Sequence, residues 1–142
     1  MTTDLMISNM ADKLAIEELI ARYNHSIDAL DMVTWLDCWT DDAVFDGIGQ
    51  YLVGKDAIKI FADGYEKNYA SKMPGGRHFT VNIASSIQGD IATSSSYLQL
   101  WSTGAKGAQI AFTGIYEDDL RKQNGQWRFK GRKMVQDKPP RV

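Results

Sequence analysis

The chain has 142 residues and a formal net charge of −2, with 44% apolar and 24% charged residues. That length suits one compact domain with a real core, and the balance excludes both a disordered chain and the basic surplus of a nucleic-acid binder. With one cysteine, Cys38, and two histidines, neither an internal disulfide nor a metal cluster is expected, and a cytoplasmic setting follows.

Residues 1–8 read as a loose arm without the basic start and apolar run of a signal peptide. Ser8 or Asn9 then caps a first helix over about 10–29, with Asp12 in its first turn. Ile16, Leu19, Ile20, Tyr23 and Ile27 form one apolar stripe at helical spacing, and Asp28 lies at the end beside it. Asp31 caps a second helix whose apolar face is Met32, Trp35, Leu36 and Trp39. The acidic pair Asp41-Asp42 stops it. A short strand over 43–46, the turn Gly47-Ile48-Gly49 and a second strand over 50–53 follow. Beyond Gly54, the spacing of Ile58, Phe61, Ala62, Tyr65 and Tyr69 predicts a third helix. No stretch reaches membrane-spanning length, so no membrane partner is expected.

Pro74-Gly75-Gly76 changes the period to two. Four strands are predicted over roughly 77–88, 91–103, 108–121 and 126–136. Their turns are Gln88-Gly89-Asp90, Gly104 to Gly107, and Asn124-Gly125, the last the strongest hairpin signal. Residues 137–142, with Pro139-Pro140, form a tail. The whole chain, 1–142, thus reads as one α+β domain. It is a cone-shaped, curved, mostly antiparallel sheet wrapped around three N-terminal helices, with a ligand pocket inside.

In the first long strand, alternation puts His78, Thr80 and Asn82 on one face and Phe79, Val81 and Ile83 on the other. A histidine and an amide opposite a full apolar stripe point His78 toward a polar pocket within the protein. The apolar stripe then needs cover, and a second subunit is the simplest one, so a homo-oligomer, dimer or trimer, is expected. Trp39, Phe45, Tyr65, Leu98, Phe112, Tyr116 and Met134 read as core, which in a cone is also pocket wall. Such a wall favours a small hydrophobic ligand, flat and polycyclic or aromatic. No glycine-rich phosphate loop is present, and no cofactor is expected. Arg128, Lys130, Arg132 and Lys133 cluster on the last strand, where Arg132 is either a solvated charge or a pocket group.

The run from Tyr23-Asn-His-Ser-Ile-Asp28 through Asp41-Asp-Ala-Val-Phe45 resembles the SnoaL-like proteins of the nuclear transport factor 2-like superfamily. So do Arg77-His78-Phe79-Thr-Val-Asn82, Gly114-Ile-Tyr116-Glu-Asp118 and Gly125-Gln-Trp127-Arg128. The resemblance implies the cone fold over about residues 11–136. Within the family, scytalone dehydratase, lindane dehydrochlorinase and bile-acid 7α-dehydratase pair an aspartate near the end of helix one with a histidine opening the first long strand. Asp28 and His78 match those positions, Tyr23 resembles a tyrosine of the bile-acid enzyme, and Arg132 matches a pocket arginine of the dehydrochlorinase. The chain departs from scytalone dehydratase in lacking a second pocket histidine and in carrying Ile27 where that enzyme has a tyrosine.

What the resemblance implies is a cofactor-independent lyase or isomerase in which His78 removes a C–H proton and Asp28 orients it. Tyr23 would protonate a leaving hydroxyl or stabilise an enolate, Arg132 would hold an anionic group, and Asn82 would position substrate. The residues alone leave other readings open. His78–Asp28 also fits a structural tie between helix and sheet, Tyr23 fits core packing, and the missing second histidine fits a protein that binds a small molecule without converting it.

Overall fold

The computed structural model describes residues 2–140. Helix α1 spans Thr3–Asp28 and α2 spans Met32–Asp37; strands β1 (Trp39–Gly47) and β2 (Gln50–Val53) precede α3, Lys55–Asn68. A 3-10 turn, Ala70–Lys72, leads to β3 (Arg77–Gln88), β4 (Ile91–Gly104), β5 (Gly107–Gln123) and β6 (Gln126–Gln136). The six strands form one sheet in the order β2-β1-β6-β5-β4-β3. All neighbours are antiparallel except β1 and β6, which run parallel. The last strand therefore returns beside the first, and β1 is locked into the sheet rather than left as a separate hairpin.

The four long strands lie close to their predicted bounds because their turns are chemically explicit. Asn124 and Gly125, at φ +53° and +76°, make a two-residue hairpin between the paired Gln123 and Gln126. Both central positions need positive φ, which asparagine and glycine accept most readily. The pairing register shifts at single points in β1, β3, β4 against β5, and β5 against β6. Bulges of this kind bend strands and raise their twist, which curves the sheet around α1.

Four expectations are corrected here. The segment 1–8 is not a loose arm: α1 starts at Thr3, where the Thr2 hydroxyl accepts the Leu5 backbone N–H; Met1 lies outside the described residues. Asp12 is accordingly not in a first turn. It is buried in mid-helix, where its Oδ1 accepts from Trp127 Nε1 at 2.9 Å and Lys122 Nζ at 3.0 Å, pinning α1 to the β5–β6 hairpin. Helix α2 ends at Asp37, so Trp39 opens β1, and Asp41 and Asp42 are strand residues rather than a helix stop. In the expected tail, Asp137 is held to β5 by its backbone N–H to Thr113 O and by the Thr113 hydroxyl; residues 141–142 lie outside the described ones.

The core sits between α1 and the inner face of the sheet. Ile16, Leu19, Ile20, Tyr23 and Ile27 are buried as their stripe predicts. They meet a chain of aromatic rings from Trp35, Trp39, Phe45, Phe61 and Phe129, with neighbouring centroids 5.4–5.9 Å apart. Edge-on and tilted contacts at this spacing add to the apolar area each ring removes from water. Cys38 is fully buried beside them, and burial pushes its thiol above the ordinary range. No helix among the described residues is long and apolar enough to cross a membrane.

Candidate active site

Asp28 is the last residue of α1. A carboxylate there opposes the partial negative charge of the helix C-terminus, so helix stability does not account for it. Two donors from β3 compensate. The His78 backbone N–H donates to Asp28 Oδ2 at 3.0 Å, and His78 Nδ1 meets Asp28 Oδ1 at 2.6 Å. An ionised carboxylate only accepts, so the contact calls for a proton on Nδ1, and in the neutral tautomer that satisfies it Nε2 is the lone-pair atom. Both side chains are largely sheltered, with relative exposures of 9% for His78 and 13% for Asp28.

The backbone just past Asp28 is strained. Leu30 adopts φ +58°, the left-handed conformation that usually falls to glycine after a helix. The Leu30 and Asp31 N–H groups return to the carbonyls of Ile27 and Ser26 and close the helix there. This turn fixes where Asp28 points.

A cavity of about 980 Å³ opens along α1 and β3. His78, Asp28, Tyr65, Asn24, Thr80 and Leu100 are among the residues lining it. Asn24 and Thr80 were not anticipated as a pair. Asn24 Nδ2 donates to Thr80 Oγ1 at 2.9 Å, while Asn24 Oδ1 is buried without a hydrogen-bond partner among the described residues. The signal was available in the sequence. Asn24 precedes Asp28 by one helical turn and Thr80 follows His78 by one strand repeat, so Asp28–His78 and Asn24–Thr80 form two rungs of one ladder. Asn24→Ala and Thr80→Val are each expected to lower unfolding stability by about 1 kcal/mol, and the double variant by less than the sum. Denaturant titration of the four proteins measures that coupling.

Other expected site residues lie elsewhere. Asn82 does not share the row of His78. It takes φ +55° at the β3 bulge and is exposed, and the alternation resumes with Ile83 half-buried on the inner side. A one-residue bulge reverses every side chain after it. Phe79 and Val81 remain on the outer face, without Ile83. Tyr23 is buried among Trp35, Trp39 and Phe129 and does not line the cavity at His78. Five residues of helix turn through about 140°, which separates it from Asp28. Burial pushes its phenol upward, against the pull of Arg132. Tyr65 is the phenol that shares the cavity with His78, and burial, with Tyr23 and Asp28 adding, raises it too.

Arg132 is neither solvated nor open to the His78 cavity. It is fully buried, donating through Nε and Nη2 to Asp118 at 2.8 and 3.0 Å. Its guanidinium lies 3.7 Å from the Tyr116 ring centroid, 4.3 Å from Phe129 and 4.5 Å from Tyr23. Burial pulls its pKa down, but the Asp118 carboxylate outweighs that and holds it above the ordinary value. Nη1 has no partner. Trp39 and Phe45 belong to the main core, while Leu98, Tyr116 and Met134 form a smaller cluster with Phe112 packed on it. These four wall residues lie apart from the cavity at His78.

Residues 8–133 match the SnoaL-like domain family. The chain belongs to the SnoaL-like family. Among solved structures, this SnoaL-like protein is similar to a Mycobacterium tuberculosis protein of unknown function, with 31% identity, 94% of this chain and 76% of that one covered, and a TM-score of 0.84. A Novosphingobium aromaticivorans protein provisionally described as an aromatic ring hydroxylase shares 31% identity over 92% of each chain at a TM-score of 0.77. Another from the same organism, provisionally described as a scytalone dehydratase, shares 22% identity over 94% of this chain and 89% of that one, at a TM-score of 0.80; that likeness is one of fold. Solved relatives carry the descriptions cystatin-like and NTF2-like, in agreement with the α+β arrangement of this SnoaL-like chain. No curated protein matches it at a significant level.

Proposed function

We propose that this SnoaL-like protein is a cofactor-independent lyase or isomerase acting on a small hydrophobic polycyclic or aromatic molecule. The observation that carries the reading is the 2.6 Å contact of His78 Nδ1 with Asp28 in the wall of a large cavity. A neutral imidazole is a suitable base near pH 7. Its Nε2 takes a proton from a carbon next to a carbonyl, and the Asp28 carboxylate steadies the imidazolium formed. In a dehydration, the C–H electron pair becomes a C=C bond as the neighbouring C–O bond breaks, and the leaving hydroxyl takes the proton back from the His78 imidazolium to depart as water, which returns the ring to its neutral form. In an isomerisation the proton returns to another carbon. In this reading Tyr65, which lines the cavity with His78, takes the role expected of Tyr23 and hydrogen-bonds the developing enolate oxygen. Arg132 and Asn82 have no assigned contact with substrate in this reading.

The reading includes a homo-oligomer, since Phe79 and Val81 leave apolar surface on the outer sheet face. The second reading is a protein of the same fold that binds such a molecule without converting it. The chain incubated in deuterium oxide with a panel of polycyclic ketones and β-hydroxyketones separates the two. Deuterium gain or loss of water, read by mass spectrometry, is expected. A compound that binds yet is recovered unlabelled and unchanged across the panel rejects the chemistry in favour of binding alone.

A further inference from the structure

We infer that Thr80 is a second hydrogen-bond donor to the substrate, its hydroxyl proton turned toward the cavity by Asn24, and that the substrate is a ketone whose carbonyl oxygen lies close to the carbon His78 deprotonates. The inference rests on the lyase or isomerase reading above and adds a substrate feature to it. A hydroxyl has one proton and two lone pairs. Asn24 is 8% exposed, and its Nδ2 donates to Thr80 Oγ1 at 2.9 Å, which fills one lone pair. A nitrogen that donates to Oγ1 does not also take its proton. The acceptor end of the same amide, Oδ1, bonds to no described residue, Thr80 included. Thr80 Oγ1 has no other hydrogen bond among the described residues, yet it is half-buried and lines the cavity with His78, Asp28 and Asn24. Its proton is therefore left for whatever fills that cavity.

The two rungs of the ladder act in opposite senses. Asp28 accepts from Nδ1 and leaves His78 a free lone pair, whereas Asn24 donates to Oγ1 and leaves Thr80 a free proton. His78 and Thr80 stand on one face of β3 before its bulge, about 6.6 Å apart along the strand. One ketone spans that distance, since a base approaches carbon at about 3–3.5 Å and a hydroxyl meets oxygen at about 2.8 Å. As His78 takes the proton, the C–H pair forms the new C=C bond and the carbonyl pair moves onto oxygen. Thr80 donates a hydrogen bond to that enolate and keeps its own proton. A carbonyl oxygen has two lone pairs, so Tyr65 and Thr80 can serve the same atom. Asn24 acts through Thr80 and is a positioning residue.

The test uses the full chain in deuterium oxide with β-tetralone, a bicyclic ketone, and tetralin, its hydrocarbon counterpart, with circular dichroism confirming the fold of each variant. Thr80→Val is expected to slow deuterium entry into β-tetralone by about 10²-fold in kcat, while Thr80→Ser, which keeps the hydroxyl, stays close to wild type. Asn24→Asp keeps the rung but reverses it, because a carboxylate only accepts and so takes the Thr80 proton. Its loss is expected to match that of Thr80→Val, and combined with Thr80→Val it is expected to add little, since the proton it consumes is already gone. A rung that only ties α1 to β3 would leave kcat unchanged in Asn24→Asp, and a bare effect of the added charge would add in full to Thr80→Val; either result overturns the inference, as does labelling by Thr80→Val at the wild-type rate. Binding judges the donor apart from the chemistry. In NMR titrations wild type is expected to bind β-tetralone about fivefold better than tetralin, and Thr80→Val to lose that preference. A preference lost in Thr80→Val, with no label from wild type, keeps the donor and rejects the lyase or isomerase reading. A preference kept in Thr80→Val, or a wild type that binds neither probe, overturns the donor.

Discussion

Asp118→Ala is expected to destabilise the protein by about 3–5 kcal/mol, because it strands the Arg132 guanidinium in the core. Arginine cannot shed its charge at any ordinary pH, so the site cannot neutralise itself. The three rings around the guanidinium attract it, but each such contact is worth only about 1–2 kcal/mol when desolvated. They cannot replace a bidentate carboxylate with both partners fully buried. For a chain of this size the loss corresponds to a fall in Tm of roughly 10–15 °C. The companion variant Asp118→Leu with Arg132→Met removes both charges and keeps the volume. It is expected to lie within about 2 kcal/mol of wild type, since well-packed apolar replacements of buried pairs are often neutral or better. Denaturant unfolding of the single and double variants checks both statements. A single variant as stable as wild type would show that the pair contributes nothing to holding β5 against β6.

The contrast between Arg132 and the α1 stripe explains how much was legible in the sequence. The stripe Ile16 to Ile27 depends on a period that any window of the chain displays, and its burial follows directly. The hairpin bounds followed from Gly89, Gly107 and Asn124-Gly125, residues that report positive φ locally. Arg132 sits in a run of charged residues, where it reads as either a solvated charge or a pocket group, and its burial against an ion partner depends on a residue fourteen positions earlier on another strand. That partner becomes readable only once the register Asp118↔Arg132 is known. Asn82 failed for a different reason. Alternation is an assumption of unbroken pleat, and one bulge inverted the prediction for Asn82 and Ile83 together. The start of α1 was missed because its first turns are exposed and their apolar residues, Met6, Ile7, Met10 and Leu14 among them, lie off the buried stripe that marks the rest of the helix. The His78–Asp28 contact was anticipated through the family resemblance, whereas the Asn24–Thr80 rung beside it followed from spacing alone and was overlooked.

That contact supports the second large expectation. In a compound labelled by wild type in deuterium oxide, His78→Ala is expected to reduce labelling to the uncatalysed rate, and Asp28→Asn to slow it by about 10²–10⁴-fold. The two losses differ in kind. Alanine removes the base. Asparagine keeps the shape of the aspartate but can present an N–H to Nδ1, which shifts the ring proton to Nε2 and occupies the lone pair facing the reaction. Folding should survive both, because an alanine at position 78 still offers its backbone N–H to Asp28, and an asparagine carbonyl still accepts from His78. The tautomer can be watched directly. The chain has only two histidines, His25 and His78. Nitrogen-15 spectra of the imidazoles in wild type and His78→Ala therefore assign both rings by subtraction. Wild-type His78 should carry its proton on Nδ1, and Asp28→Asn should move it or split the signal. Undiminished labelling in His78→Ala would reduce the pair to a tie between α1 and β3. Unchanged labelling in Asp28→Asn, with the ring proton still on Nδ1, would leave His78 a base whose orientation owes nothing to the carboxylate.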